Sequence, residues 1–178
     1  MGDSGAPKLI PADSVDGVDS AMNVRHLHET DYDPIIAVID DWWGDRKISY
    51  LLPRVLFVHF SSTSFAIEEA GAVLGFLAGF VSQTYPDQAY IHFVGIHPNH
   101  RRGGLGRQLY STFFETVRKL GCTTVRSITS PLNTGSIAFH TRMGFEVERV
   151  TGEWQGVPCT VNYELKGEHR VLFVKSIS

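Results

Sequence analysis

His97-Pro98-Asn99-His100-Arg101-Arg102-Gly103-Gly104-Leu105-Gly106-Arg107 joins an apolar segment to an amphipathic one. Residues 88–96 upstream read as a strand. Downstream, Leu105, Leu109, Phe113, Val117 and Leu120 recur at three- and four-residue spacing, which predicts a helix over 104–120 closed by Gly121. A strand, a glycine-rich basic turn and a helix start aim free backbone N–H groups at an anion, and the positive end of the helix dipole adds to the attraction. Gly103, Gly104 and Gly106 are expected to let the backbone approach a pyrophosphate, and Arg101, Arg102 and Arg107 to supply charge for it. The chain contains neither Gly-x-x-x-x-Gly-Lys-Ser/Thr nor Gly-x-Gly-x-x-Gly, so triphosphate and dinucleotide loops find no support. On chemistry alone, a ligand-free turn with surface arginines stays open.

Upstream of this turn, a short strand is expected at 24–27, a helix over 31–41 starting near Asp33-Pro34, and a second helix over 53–60. Strands follow at 64–68, 72–82 and 88–96, joined through Glu69-Ala70-Gly71 and Tyr85-Pro86-Asp87, which implies antiparallel pairing. Downstream, residues 125–129 read as a β-branched strand, and Asn133 as the cap of a helix that Gly144 closes. Segments 145–150 and 160–165 are expected to close the sheet as a hairpin, with 171–174 as a last strand. A meander passing into β-α-β-α-β units makes a mixed α/β sheet with helices covering it.

Composition sets the class. The chain has 178 residues, 43% hydrophobic and 20% charged, enough for one substantial core. Residues 1–21 are polar and rich in Gly, Pro, Asp and Ser, and read as a flexible tail before a single domain over 22–178. They lack the basic start and apolar centre of a signal peptide, and no apolar run reaches membrane-spanning length. A net charge of −3 argues against nucleic acid as a partner. Cys122 and Cys159 form no C-x-x-C pair, so neither a disulfide framework nor a metal site is expected, and a cytoplasmic location is the default.

Arg101-x-x-Gly104-x-Gly106 resembles the Gln/Arg-x-x-Gly-x-Gly/Ala signature of the GNAT acetyltransferases, which binds the pyrophosphate of acetyl-CoA. Asn133-x-x-Ser136-x-x-Phe139-His140-x-x-Met143-Gly144-Phe145 resembles the second motif of that superfamily. The resemblance covers about residues 23–165 and implies the GNAT fold, a central, mostly antiparallel sheet flanked by helices. It implies acetyl-CoA as cosubstrate, held at the 101–107 turn including Leu105, with the backbone of Val94, Gly95 and Ile96 orienting the acetyl group. Asn133 would reach the pantetheine arm, and Ser136 is a further expected cofactor-binding residue.

Transfer to an amine requires a base, because an ammonium group (pKa about 10) has no lone pair to attack with. His92 is the leading candidate, since it precedes Val94 by two residues and resembles a strand histidine of the serotonin N-acetyltransferases. Glu68 is the second candidate. His140 stands where many GNAT enzymes carry the tyrosine that protonates the leaving thiolate, which makes it the candidate acid. Trp42, Trp43 and Arg46 fall in the loop that walls the acceptor site in the superfamily, and Tyr90 is expected beside His92. Three readings stay open: acetylation of a small amine, acetylation of a protein N-terminus or lysine, and a non-catalytic acyl-CoA-binding module. The sequence leaves the oligomeric state open, a homodimer included.

Overall fold

A computed structural model describes residues 21–44 and 47–178, so most of the expected tail (1–21) lies outside the described residues. The elements are β1 (Asn23–His26), α1 (Tyr32–Trp42), α2 (Val55–His59), β2 (Phe65–Glu69), β3 (Ala72–Val81), β4 (Gln88–Ile96), α3 (Leu105–Lys119), β5 (Thr124–Thr129), α4 (Thr134–Arg142), β6 (Glu146–Glu148), β7 (Gly152–Trp154), β8 (Val157–Cys159) and β9 (Val171–Ser176). Among the described residues seven strands form one sheet in the order β1-β2-β3-β4-β5-β9-β6, and β7 pairs with β8 as a separate hairpin. Of the strand pairs among the described residues only β4 and β5 are parallel, and every other neighbouring pair is antiparallel. This is the mixed α/β sheet expected from the sequence.

Strand alternation sends side chains to two cores. One face packs Leu77, Ala89, Ile91 and Val125 against Leu105, Leu109, Phe113 and Val117 of α3. The other packs Ala66, Phe76 and Ala78 against Ile35, Ile39 and Trp42 of α1 and Phe57 of α2. Gly79 explains why the apolar β3 run is interrupted: a Cβ there would lie 2.5 Å from the Phe113 ring, so α3 packs directly on the strand. The β2–β3 hairpin turns through Ala70 (φ 48°) and Gly71 (φ 80°), the pair of positive φ angles that a tight two-residue connection demands.

One expectation fails. Residues 160–165 do not pair with β6. They open a loop that Tyr163 N–H closes onto the Glu168 carbonyl and Glu168 N–H onto that of Leu165, each at 2.8 Å. Positive φ at Asn162 (54°) and Gly167 (91°) is incompatible with a strand. The place beside β6 is taken by β9, which inserts between β5 and β6. Its run Val171-Leu172-Phe173 is buried on both faces, as an interior strand requires. Among the described residues no helix is long and apolar enough to cross a membrane.

Candidate functional site

The parallel pair decides the geometry. β4 and β5 are in register from Gln88↔Thr124 to Ile91↔Ser127 and no further. Beyond that point β4 stays paired with β3 up to Ile96, and β5 stays paired with β9 up to Thr129. The two strands therefore part and leave a wedge. Ser127 Oγ donates to the Ile91 carbonyl at 3.1 Å and closes the fork. His97 N–H bonds back to the Leu74 carbonyl at 2.8 Å, so alternation turns the amides of Val94 and Ile96 toward the open edge. Gly95 turns the other way, and a Cβ on it would meet Phe76 at 2.6 Å and Trp43 at 3.0 Å.

His92 stands at the mouth of this wedge. The β3–β4 register steps from Ala78↔Phe93 to Gly79↔Ile91, so His92 is the extra residue of a β-bulge. Its imidazole is exposed, and its Nε2 lies 2.7 Å from the Leu51 carbonyl. A carbonyl only accepts, so Nε2 carries the proton, and in the neutral ring Nδ1 keeps a lone pair. Leu51 gives no sequence signal for this contact, because any residue supplies the same carbonyl.

Both helices that follow the parted strands start at the same end. Gly104 caps α3 with φ 87°, a left-handed conformation that favours glycine. The α3 ladder begins with Gln108 N–H to Gly104 O at 3.0 Å, so Leu105, Gly106 and Arg107 have no intrahelical acceptor for their N–H groups. Gly106 serves a different purpose from Gly104. A Cβ there would lie 3.2 Å from the Phe139 ring, so its absence lets α4 pack against the first turn of α3. Gly103 has no such need, since its Cβ would meet only ordinary contact at 3.5 Å. Asn133 caps α4 as expected, its Oδ1 accepting Ser136 N–H at 3.2 Å.

Several expected site residues take other places. Arg101 is not a mobile charge: its Nε donates to the Ile96 carbonyl at 3.1 Å, a terminal nitrogen donates to the Trp42 carbonyl, and its guanidinium lies 5.9 Å from the Trp43 ring centre. It ties the turn to the C-terminus of α1. Arg102 and Arg107 are exposed. Glu68 is held by Arg25 at 2.7 Å, which also grips Asp31 at 2.7 Å. Glu68 pairs with Val73, five residues along β3 from the Ala78 row beside His92. That separation is about 17 Å, too far for the two to act together. Trp42 is 7% exposed and packs on Phe76, so it is core and not wall. Arg46 lies outside the described residues. Trp43 is half-buried over Phe93, with ring centres 5.5 Å apart, and covers Gly95 of β4. Tyr90 stacks on Phe80, and burial raises its phenol well above the usual range. Smaller contributions come from Tyr163 and Glu164, which raise it, and from Arg170, which lowers it.

His140 departs furthest from its expected role. It is 5% exposed, stacked on Phe173 with centres 4.4 Å apart and planes 3° apart. Its Nδ1 lies 2.9 Å from the Ser136 carbonyl and its Nε2 3.0 Å from the Tyr110 hydroxyl. The carbonyl must accept from Nδ1, so in the neutral ring Nε2 accepts from the phenol. Both nitrogens are then committed, and burial disfavours the charged imidazolium that an acid would need. Burial lowers its pKa from the ordinary 6.5. A folded-state value below the unfolded one means the unfolded chain takes up the proton first as pH falls. The stabilisation is then fully present above about pH 6.5 and declines below it. Melting wild type and His140→Asn from pH 7.5 to 5 should show the wild type losing stability faster, by at most about 1.4 kcal/mol per pH unit. Equal slopes would mean that His140 titrates alike in both states.

A model of the Acetyltransferase (GNAT) family matches residues 23–145. The chain belongs to that family. L-2,4-diaminobutyric acid acetyltransferase of Virgibacillus pantothenticus is 35% identical over 75 residues, 42% of this chain and 45% of the relative. The matched stretch thus spans less than half the length of that curated relative. Ard1 from Thermoplasma volcanium superposes with a TM-score of 0.72 at 18% identity, over 89% of this chain and 99% of the other. Diaminobutyrate acetyltransferase from Paenibacillus lautus, solved with L-2,4-diaminobutyric acid and coenzyme A, superposes at 0.64 with 19% identity, over 87% of this chain and 94% of the other. At these identities the superpositions speak for the fold.

Proposed function

We propose that the chain is an N-acetyltransferase that moves an acetyl group from acetyl-CoA to a primary amine of a small, amino-acid-like molecule. The observation that carries this reading is the wedge between β4 and β5, with the α3 turn at its end and His92 at its mouth. The donor set fits the cosubstrate. Amides at Leu105, Gly106 and Arg107, with the α3 dipole, suit a pyrophosphate, and Arg102 and Arg107 add charge around it. The Val94 and Ile96 amides suit the amide-bearing pantetheine arm, and Asn133 and Ser136 stand at the start of the neighbouring helix. Bound there, acetyl-CoA would supply a thioester open to attack by a neutral amine, the C–S bond breaking as the C–N bond forms and coenzyme A leaving as the thiol with the second amine proton.

The chain's own part is to make that amine neutral and to hold it. His92 takes the ammonium proton on Nδ1 while Leu51 fixes the tautomer on Nε2. Trp43 and Tyr90 border the acceptor side, and Glu68 and His140 are left without a direct chemical role. The name of the Virgibacillus relative favours diamino acids as acceptors. The cellular setting that suits this chemistry is the cytoplasm.

A thiol-release screen with acetyl-CoA over diamino acids, amino acids, polyamines and peptides tests the reading. Release should occur with small primary amines, diamino acids first. Release with peptides alone would move the acceptor to proteins. No release with any amine, despite binding of acetyl-CoA, would make the chain a binding module.

A further inference from the structure

Two sets of hydrogen bonds, joined through the backbone of Ser136, link the core of α3 to the cap of α4. The Tyr110 hydroxyl, 1% exposed as a residue, donates to His140 Nε2 at 3.0 Å. His140 Nδ1 donates to the Ser136 carbonyl at 2.9 Å, with Ser136 Oγ a further 3.3 Å neighbour. Ser136 N–H donates to Asn133 Oδ1 at 3.2 Å. Ser136 is therefore pinned at both its carbonyl and its amide. Asn133 Oδ1 is committed, which leaves the two Nδ2 donors of the carboxamide to a ligand. These bonds cross from one helix to the other beside the Gly106–Phe139 contact, and Tyr110 and Phe139 touch edge to face with ring centres 5.0 Å apart. Face-to-face stacking on Phe173 keeps the imidazole from rotating away.

We propose that His140 is a positioning residue: as a neutral imidazole it sets the pose of Asn133 through Ser136, and so fixes the donors that α4 offers to coenzyme A. The inference rests on the acetyl-CoA reading given above. It assigns to the residue at the usual acid position a task that involves no proton transfer. A linked network of this kind should behave as one unit, so the effects of breaking it at either end should not multiply.

Calorimetric titration with coenzyme A tests it, using His140→Asn, His140→Gln, Asn133→Ala and the double variant His140→Gln/Asn133→Ala, each checked for a cooperative melt. Asparagine places an N–H near the position of Nδ1 and keeps the Ser136 bond, so its Kd should stay within about threefold of wild type. Glutamine reaches toward Tyr110 but gives up the Ser136 bond, and should weaken binding about tenfold, the loss of one well-placed hydrogen bond. Asn133→Ala should weaken binding by a similar factor, and the double variant should be no weaker than the worse single one. In steady-state assays kcat should change less than KM for acetyl-CoA, and the alkaline limb of the kcat–pH profile should not move. Glutamine and asparagine binding alike, or losses that multiply in the double variant, would overturn the proposal. So would a kcat collapse with Kd unchanged, which would return His140 to acid chemistry. Absence of binding by the wild type would instead overturn the acetyl-CoA reading, and this inference with it.

Discussion

His92→Ala is expected to lower kcat/KM by roughly 100-fold or more, the usual size of one general-base contribution. The cause lies in backbone geometry as much as in the imidazole. A regular strand would turn residues 92 and 93 to opposite faces, whereas the bulge between Ala78 and Gly79 sets His92 out as an extra, exposed residue. The Leu51 carbonyl at 2.7 Å then decides which nitrogen holds the proton. Removing the ring leaves the ammonium form of the acceptor, the dominant species at neutral pH, without a partner to take its proton. The loss should fall on kcat/KM for the amine. The Kd for coenzyme A should be unchanged, because its proposed holders lie on α3, α4 and the Val94–Ile96 edge. The melting temperature should hardly move, since an exposed side chain with one hydrogen bond contributes little to stability. The acidic limb of the kcat/KM profile should flatten in the variant. An unchanged rate with an unchanged profile would remove His92 from the chemistry and leave deprotonation to solvent.

The helices of the cradle were readable because their signals are local. The spacing of Leu105, Leu109, Phe113 and Val117 defines α3, and Asn133 caps α4 with its own side chain. The same local rule held a warning about Trp42. Ile35, Ile39 and Trp42 stand at i, i+4 and i+7, the buried stripe of a helix. The loop that displaces the expected strand at 160–165 depends on left-handed residues that an apolar–polar alternation does not reveal. What the sequence could not show is pairing at a distance. The wedge exists because two strands stop sharing a ladder after Ile91 and Ser127, and nothing in either segment marks that point. Arg101 and Glu68 read as available charges in the sequence, whereas in the fold Trp42 and Ile96 hold the first and Arg25 the second. Tyr110 and His140 are each a polar residue at a core position of its helix. That was a legible oddity, but only the fold shows that they answer one another.

Gly106→Val should be the most damaging single change to cosubstrate binding, and for a reason different from that at Gly104. At Gly104 an added Cβ meets nothing within 4 Å, and the cost is the left-handed φ of 87° alone. That is about 1–2 kcal/mol for a residue with a side chain, with the turn still open to a ligand. At Gly106 a first carbon would already lie 3.2 Å from the Phe139 ring, and valine adds two more. Phe139 cannot simply yield, because Tyr110 is packed against its ring. The strain must instead push α4 off the start of α3, at a cost of about 1–3 kcal/mol for overpacking of this kind. The same movement separates the α3 amides from Asn133, so both proposed anchors of acetyl-CoA lose their mutual spacing. Wild type at a hundredfold excess of acetyl-CoA over Kd should gain about 2.7 kcal/mol, or roughly 5–10 °C in melting temperature for a chain of this size. Gly106→Val should melt cooperatively at a lower temperature and show no such gain at the same concentration. Gly104→Ala should keep most of it. A variant that melts lower yet still gains the full shift would mean that the α3–α4 contact serves stability alone. The cosubstrate would then be held without reference to α4.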